Sequence, residues 1–251
     1  MTFSIKQKLI ISLMIAVLAA AILVGSISQW IARDLVKENV EKLQLPALLQ
    51  QVGNRVDREA SVMLTVAHSI ASNPDILAWS ENGADKNGER RLLSFLNDVV
   101  NFNDLTVASF VDRTTYKYWN QNGFLRVLQN DALDGWFFAY KDSGEPISLS
   151  LYNEPNQGYR LFANYQQVNG RGMSGVAKSV DELLSIINAV KIAKTGFIYL
   201  VDGNGTIIAH PNTSLLGKAK LASVSDASAA NKLLSKSDFA MATREQEDGN
   251  K

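Results

Sequence analysis

Between Lys8 and Arg33 the chain carries no charged residue, and the run from Leu9 to Ile31 is apolar almost throughout. At about 1.5 Å of rise per residue, a helix over this run covers the roughly 30 Å hydrocarbon core of a bilayer. The pattern predicts a transmembrane helix over 9–31. Lys6 and Lys8 precede the run, so the positive-inside rule leaves residues 1–8 in the cytoplasm and everything after the span outside. The run is longer than the apolar stretch of about 7–15 residues in a cleaved signal peptide, which makes an uncleaved anchor the expectation.

Beyond the span, helical spacing continues to Pro46, where the missing N–H predicts a break. Leu49, Val52, Val56, Ala60, Met63, Ala67 and Ile70 then recur every three or four positions, the stripe of an amphipathic helix ending near Ser72. Asn73 and Pro74 read as the cap and first position of a short helix through Ser80. A polar loop is expected over Glu81 to Gly88, and helical spacing returns from Arg90 to Asn101. At Leu105 the period changes to that of strands. LTVASFVD and TTYKYWN read as a hairpin, and NDALDGWFFAYKDSG reads as a short helix. PISLSLY, GYRLFANYQQV and MSGVAKSV form an antiparallel meander, and Asp181 reads as the cap of the next helix, through Lys194. Two apolar strands around Asp202-Gly203-Asn204-Gly205 make a further hairpin, followed by a helix near Ala227 to Leu234 and a polar end. The fold class expected is therefore α+β.

Charge narrows the function. Lys plus Arg number 25 and Asp plus Glu number 25, so no global field recruits nucleic acid. There is no cysteine, and the two histidines, His68 and His210, stand in no metal-binding spacing, so neither a metal site nor a cofactor is expected. Asp202-Gly203-Asn204-Gly205 lacks the later glutamate of a calcium loop and reads as turn chemistry. No serine sits in a G-x-S-x-G elbow, and an enzyme is not expected. Tyr118, Trp119, Trp136, Phe137, Tyr140 and Tyr152 belong to a concentration of large aromatics that suits either an ordinary core or a stacking pocket with polar tips. Asn164 shares a strand face with Phe162 and offers an amide if that face lines a cavity.

Trp136-Phe137, the strand GMSGVAKSVDEL over Gly172 to Leu183, and the hairpin GFIYLVDGNGTIIAHP over Gly196 to Pro211 resemble the double Cache module of bacterial chemoreceptors and related signalling proteins. The resemblance implies a bacterial inner-membrane protein with a periplasmic sensor, here a methyl-accepting chemotaxis protein cut before its second span. Residues 32–194 would form a helical stalk and a membrane-distal, PAS-like unit that binds a small polar ligand. Residues 195–251 would begin a membrane-proximal unit lacking its last strands, so that its hairpin keeps a bare edge and the residues beyond Asn212 are mobile. A homodimer through the long N-terminal helix is implied as well. Many amino-acid-sensing members carry an Arg two residues before the aromatic pair and an Asp in the closing strand. This chain has Asp134 and Ala177 there. A buried Asp134 with no matching Arg would face a cation or hydroxyl donors rather than a simple α-amino acid. The resemblance also admits the input region of a diguanylate cyclase or sensor histidine kinase, and a membrane-anchored adhesion or scaffold domain is the alternative of another class.

Overall fold

The computed structural model describes residues 5–154, 158–188, 197–235, 240 and 242, and the chain divides into two compact units, Met1–Gln51 and Val52–Lys251. In the first, α1 (Ile5–Asn39) leaves Leu13, Ile15, Leu18, Ile22 and Leu23 exposed, so apolar side chains lie on every side of the helix. A helix apolar on every side suits lipid, and this one is long and apolar enough to cross a bilayer. Residues Val40–Gln44 form a π turn in which Leu45 N–H donates to Val40 O. Pro46, at the second position of α2 (Leu45–Ala71), has no N–H for the ordinary ladder, and the widened turn is the irregularity expected there.

The second unit is built on a six-stranded antiparallel sheet. Its strands are β1 (Val107–Asp112), β2 (Lys117–Asn120), β3 (Gly123–Val127), β4 (Ile147–Glu154), β5 (Gly158–Gln166) and β6 (Gly172–Ser179), in the order β3-β2-β1-β6-β5-β4. Three helices precede it: α2, α3 (Pro74–Glu81) and α4 (Lys86–Phe102). Asn73 caps α3 as expected, its side chain accepting from Asp75 N and Ile76 N. The helix expected from Arg90 begins earlier, because Asp85 accepts from Gly88 N at 2.7 Å and so caps α4 inside the stretch expected to be a loop. The sequence pattern does not foresee β3, which is only five residues long and breaks its apolar alternation at Arg126.

Period two sorts the strand residues onto two faces. On one, Phe110, Trp119, Ala163 and Val176 are buried against Met63, Ala67 and Ile70 of α2 and Leu92 and Leu96 of α4. Lys178 pairs with Glu59 at 2.8 Å across this interface, and the ring of His68 meets Tyr165 edge-on at 4.4 Å. On the other face Val111 and Met173 pack with Leu128 and with Phe137 of α5 (Gly135–Ser143), which covers only part of it.

After β6, Ser179 and Glu182 form a reciprocal cap, Ser179 Oγ accepting from Glu182 N at 3.1 Å and the Glu182 carboxylate from Ser179 N at 3.3 Å. The cap of α6 (Val180–Asn188) is therefore Ser179, two residues before the expected Asp181. The rest of that expected helix, and the 194/195 boundary, lie outside the described residues. β7 (Leu200–Val201) and β8 (Ile207–Ala209) form the foreseen hairpin, with Asp202 accepting from Asn204 N and Thr206 N. Its edge is not bare. Ile207 N donates to Ala219 O, Gly217 N to Ile207 O and Leu221 N to Gly205 O. A 3-10 turn (Thr213–Leu215), α7 (Leu221–Val224) and α8 (Ala227–Leu233) follow. Leu216 is buried with Val180, Leu184, Ile207 and Ala209. The expectation of a loose chain after Asn212 is therefore corrected as far as Ser235, because the apolar residues of this segment, Leu216 and Leu221 among them, cover the hairpin in place of further strands.

Candidate ligand-binding site

The part of the sheet face that α5 leaves open forms the floor of a cavity of about 600 Å³. That size lies within the range of about 300–1,000 Å³ usual for small-molecule sites. The register explains its floor. Tyr118 stands opposite Val111 and Arg126, Ser109 opposite Asn120, Tyr152 opposite Arg160, Ser150 opposite Phe162, and Asn164 opposite Gly175, so all share one face. Trp136 joins them from α5.

Four of the residues singled out in the sequence, Tyr118, Trp136, Tyr152 and Asn164, line this cavity, and four do not. Trp119, one step along β2 from Tyr118, turns to the helix face, where it is buried and meets Trp79 edge-on at 5.0 Å. Phe137, beside Trp136, is fully buried under the sheet with Val111 and Met173. The Tyr140 hydroxyl donates to Pro146 O at 2.9 Å and approaches Asn164 O at 3.2 Å, tying α5 to the start of β4 and to β5. Burial pushes this phenol up to about 12, so it remains a neutral donor.

Asp134 needs the largest correction. Its carboxylate is buried, as expected, but it is not without an arginine. Arg126 Nε donates to Oδ1 at 3.0 Å and Arg126 Nη2 donates to Oδ1 at 2.6 Å, while Gln129 N donates to Oδ2 at 3.2 Å. The partner comes from β3, eight positions upstream, rather than from the helix itself. The hydrogen bond to Asp134 also pushes the Arg126 guanidinium further above its usual range, so it stays charged. Its carbon lies 5.6 Å from the Tyr118 ring centroid. Neither Arg126 nor Arg160 was singled out in the sequence, though both line the cavity. Arg160 was findable, since it stands two and four positions before Phe162 and Asn164 on one strand.

The floor is fixed by its own hydrogen bonds. Asn164 Nδ2 donates to Ser148 Oγ at 3.2 Å and Ser150 Oγ at 3.3 Å, and Ser109 Oγ donates to Gly175 O at 2.8 Å. At Gly175 a Cβ would come within 2.6 Å of Asn164 Oδ1, so glycine keeps this part of the floor low. Gln121 Oε1 accepts from Ala108 N and Gln121 Nε2 donates to Thr106 O, anchoring the rim between β2 and β3. What results is a rigid polar floor with aromatic and guanidinium walls, an arrangement suited to orienting a small ligand.

The same layering occurs in known proteins. The ligand-binding domain of the Pseudomonas aeruginosa chemoreceptor PctC, solved in complex with GABA, superposes with a TM-score of 0.54 at 16% identity, covering 72% of this chain and 81% of that one. The fold is that of a chemoreceptor ligand-binding domain. The extracellular domain of the putative histidine kinase vpHK1S-Z8 shares this Cache-type fold, with a TM-score of 0.56 at 19% identity over 71% of this chain and 73% of that one. In sequence, the methyl-accepting chemotaxis protein TlpB of Bacillus subtilis is 27% identical over 117 residues. That alignment covers 46% of this chain and 17% of TlpB, so the match is to a small part of the longer protein. No family model matches the chain. The Cache resemblance read from the sequence is borne out at the level of the fold.

Proposed function

We propose that this chain is the extracytoplasmic sensing region of a membrane-anchored chemoreceptor, reporting occupancy by a small polar ligand. The observation that carries the reading is the cavity of about 600 Å³ on the open face of a Cache-type sheet, with a hydrogen-bonded floor and aromatic walls. Tyr118, Trp136, Tyr152 and Asn164 are the proposed contacts. In this reading residues 9–31 span the inner membrane, residues 32–194 form the stalk and distal unit, and residues 195–251 open the proximal one. The N-terminal helices pair in a homodimer. Ligand-dependent movement of the sheet reaches α2 through the Lys178–Glu59 pair and the close approach of Gly172 to Ala71. A ligand acts here only through its different affinity for two arrangements of these elements. The input region of a sensor histidine kinase is the second reading, favoured by the likeness to vpHK1S-Z8.

The test is a thermal-shift screen of small polar compounds on the full chain in detergent. Trp136 is 42% exposed, so Trp136→Ala should remove the ligand-induced shift and leave the ligand-free midpoint nearly unchanged. A variant that unfolds early without ligand would instead make Trp136 a packing residue.

A further inference from the structure

The shape of the cavity and the chemistry of its lining narrow the ligand further, and this step rests on the sensing role proposed for the cavity. Its aromatic residues stand in two groups. In one, Trp136 meets Tyr118 edge-on at 6.2 Å, and in the other Tyr152 meets Phe162 edge-on at 6.4 Å. Trp136 is 42% exposed and Tyr152 47%, so each group offers the cavity an open ring steadied by its edge-on neighbour. The register separates the groups. Tyr118 pairs with Val111, whereas Phe162 pairs with Ala177 and Ala177 with Val107, four residues before Val111. Three strand spacings across the sheet and four residues along it put the Tyr118 and Phe162 Cα atoms about 20 Å apart. The cavity of about 600 Å³ is therefore a trough running diagonally over the floor, longer than a single amino acid or a single sugar ring.

Apart from two guanidinium groups, every polar side chain in the described lining is a neutral amide, hydroxyl or indole. Of those two, Arg126 is matched by Asp134 at 2.6 Å and Arg160 is engaged as well, so neither marks the cavity for an anion. Among the described residues the side-chain polar atoms of Asn122, Trp136 and Tyr152 make no hydrogen bond. Ser150 accepts from Asn164 Nδ2 and keeps its own hydrogen to donate. From this we infer that the cavity takes a short neutral oligosaccharide, one ring stacked on Trp136 and another on Tyr152. A pyranose has an apolar C–H face that lies flat on an aromatic ring, and a rim of hydroxyls that both donate and accept. Amides and hydroxyls match that rim in both directions, and a guanidinium already held by a carboxylate still donates to it.

The experiment uses the full chain in a detergent without a sugar headgroup and compares length series by thermal shift and calorimetry. The series are glucose, maltose and maltotriose; glucose, cellobiose and cellotriose; and N-acetylglucosamine with its linked dimer and trimer. Phenylalanine, glutamine and the dipeptide alanyl-phenylalanine are the charged probes. The expected result is binding of at least one dimer or trimer, with its single sugar and every charged probe about tenfold weaker or more. A single sugar or charged probe that binds as tightly as the oligomers overturns this ligand class and leaves the sensing role intact. Silence from every compound overturns the sensing role of the cavity and this inference with it. Trp136→Ala removes one platform and Tyr152→Ala the other, and since both rings are exposed each variant should keep its ligand-free midpoint. Each should lose oligosaccharide affinity by about tenfold or more. Unchanged affinity in a folded Tyr152→Ala variant would show that the ligand does not span the trough and would overturn the inference. If either variant unfolds, the length series in the parent chain still decides.

Discussion

At Gly172, where β6 begins, an added Cβ would lie 1.8 Å from the carbonyl oxygen of Ala71 at the end of α2. Both sides of that contact are backbone, so no side-chain rotation relieves it. Gly172→Ala should lower stability by about 1–3 kcal/mol, measured by denaturant unfolding of the full chain. A value near zero would mean that strand and helix ends shift freely there. Nearby, Asp112 is fully buried and binds three segments together, accepting from Ser80 Oγ at 2.6 Å, Arg171 Nη1 at 2.7 Å and Thr114 N at 2.7 Å. Burial alone would raise its pKa, but the hydrogen bonds from Ser80, Thr114, Arg171 and Thr115 outweigh it and hold the carboxyl below the usual carboxylate range. The sign follows: a folded value below the unfolded one gives stability that is present above about pH 4 and lost as pH falls through the folded value. Unfolding midpoints measured from pH 6 downward should therefore fall less steeply in Asp112→Asn than in the parent.

Among the elements, those with a clear period and a local cap were legible in the sequence. The stripe of α2, the Asn73 cap and the three strands of the meander have nearly the bounds their patterns predict. Short elements were not legible, because a five-residue strand such as β3 shows too few alternations to reveal a period. That omission hid Arg126, and with it the partner of Asp134. The split of the site candidates has the same origin: Tyr118 and Trp119 are adjacent on one strand, and aromatic content alone does not say which of the two meets the cavity. The hairpin β7-β8 was foreseen, whereas its cover was not, since the residues after Asn212 have no continuous period. Hydrogen exchange checks that cover. The amides of Ile207, Gly217 and Leu221, which donate to Ala219 O, Ile207 O and Gly205 O, should exchange far more slowly than those of an unstructured peptide. Free-peptide rates at all three would restore the bare edge expected from the sequence.

For the molecule as a whole, the arrangement depends on the N-terminal helix being a membrane span that stays attached, with the sensor outside. The chain contains no cysteine, so single cysteines can report sidedness without background. Glu81 is exposed at the end of α3, in the unit proposed to lie outside, and Thr2 precedes the span. In spheroplasts, a membrane-impermeant maleimide should label Glu81→Cys at once and label Thr2→Cys only after the membrane is permeabilised. The cationic excess at Lys6 and Lys8 is what sets this direction, so replacing both by glutamate should weaken or reverse the asymmetry. Loss of the Thr2→Cys label from the mature protein, together with a shorter chain on a gel, would show that the apolar run is removed as a signal peptide. In that case a ligand could still occupy the cavity, but α2 would have no span to act upon, and the signalling proposed for this chain would fail even if its binding proposal held.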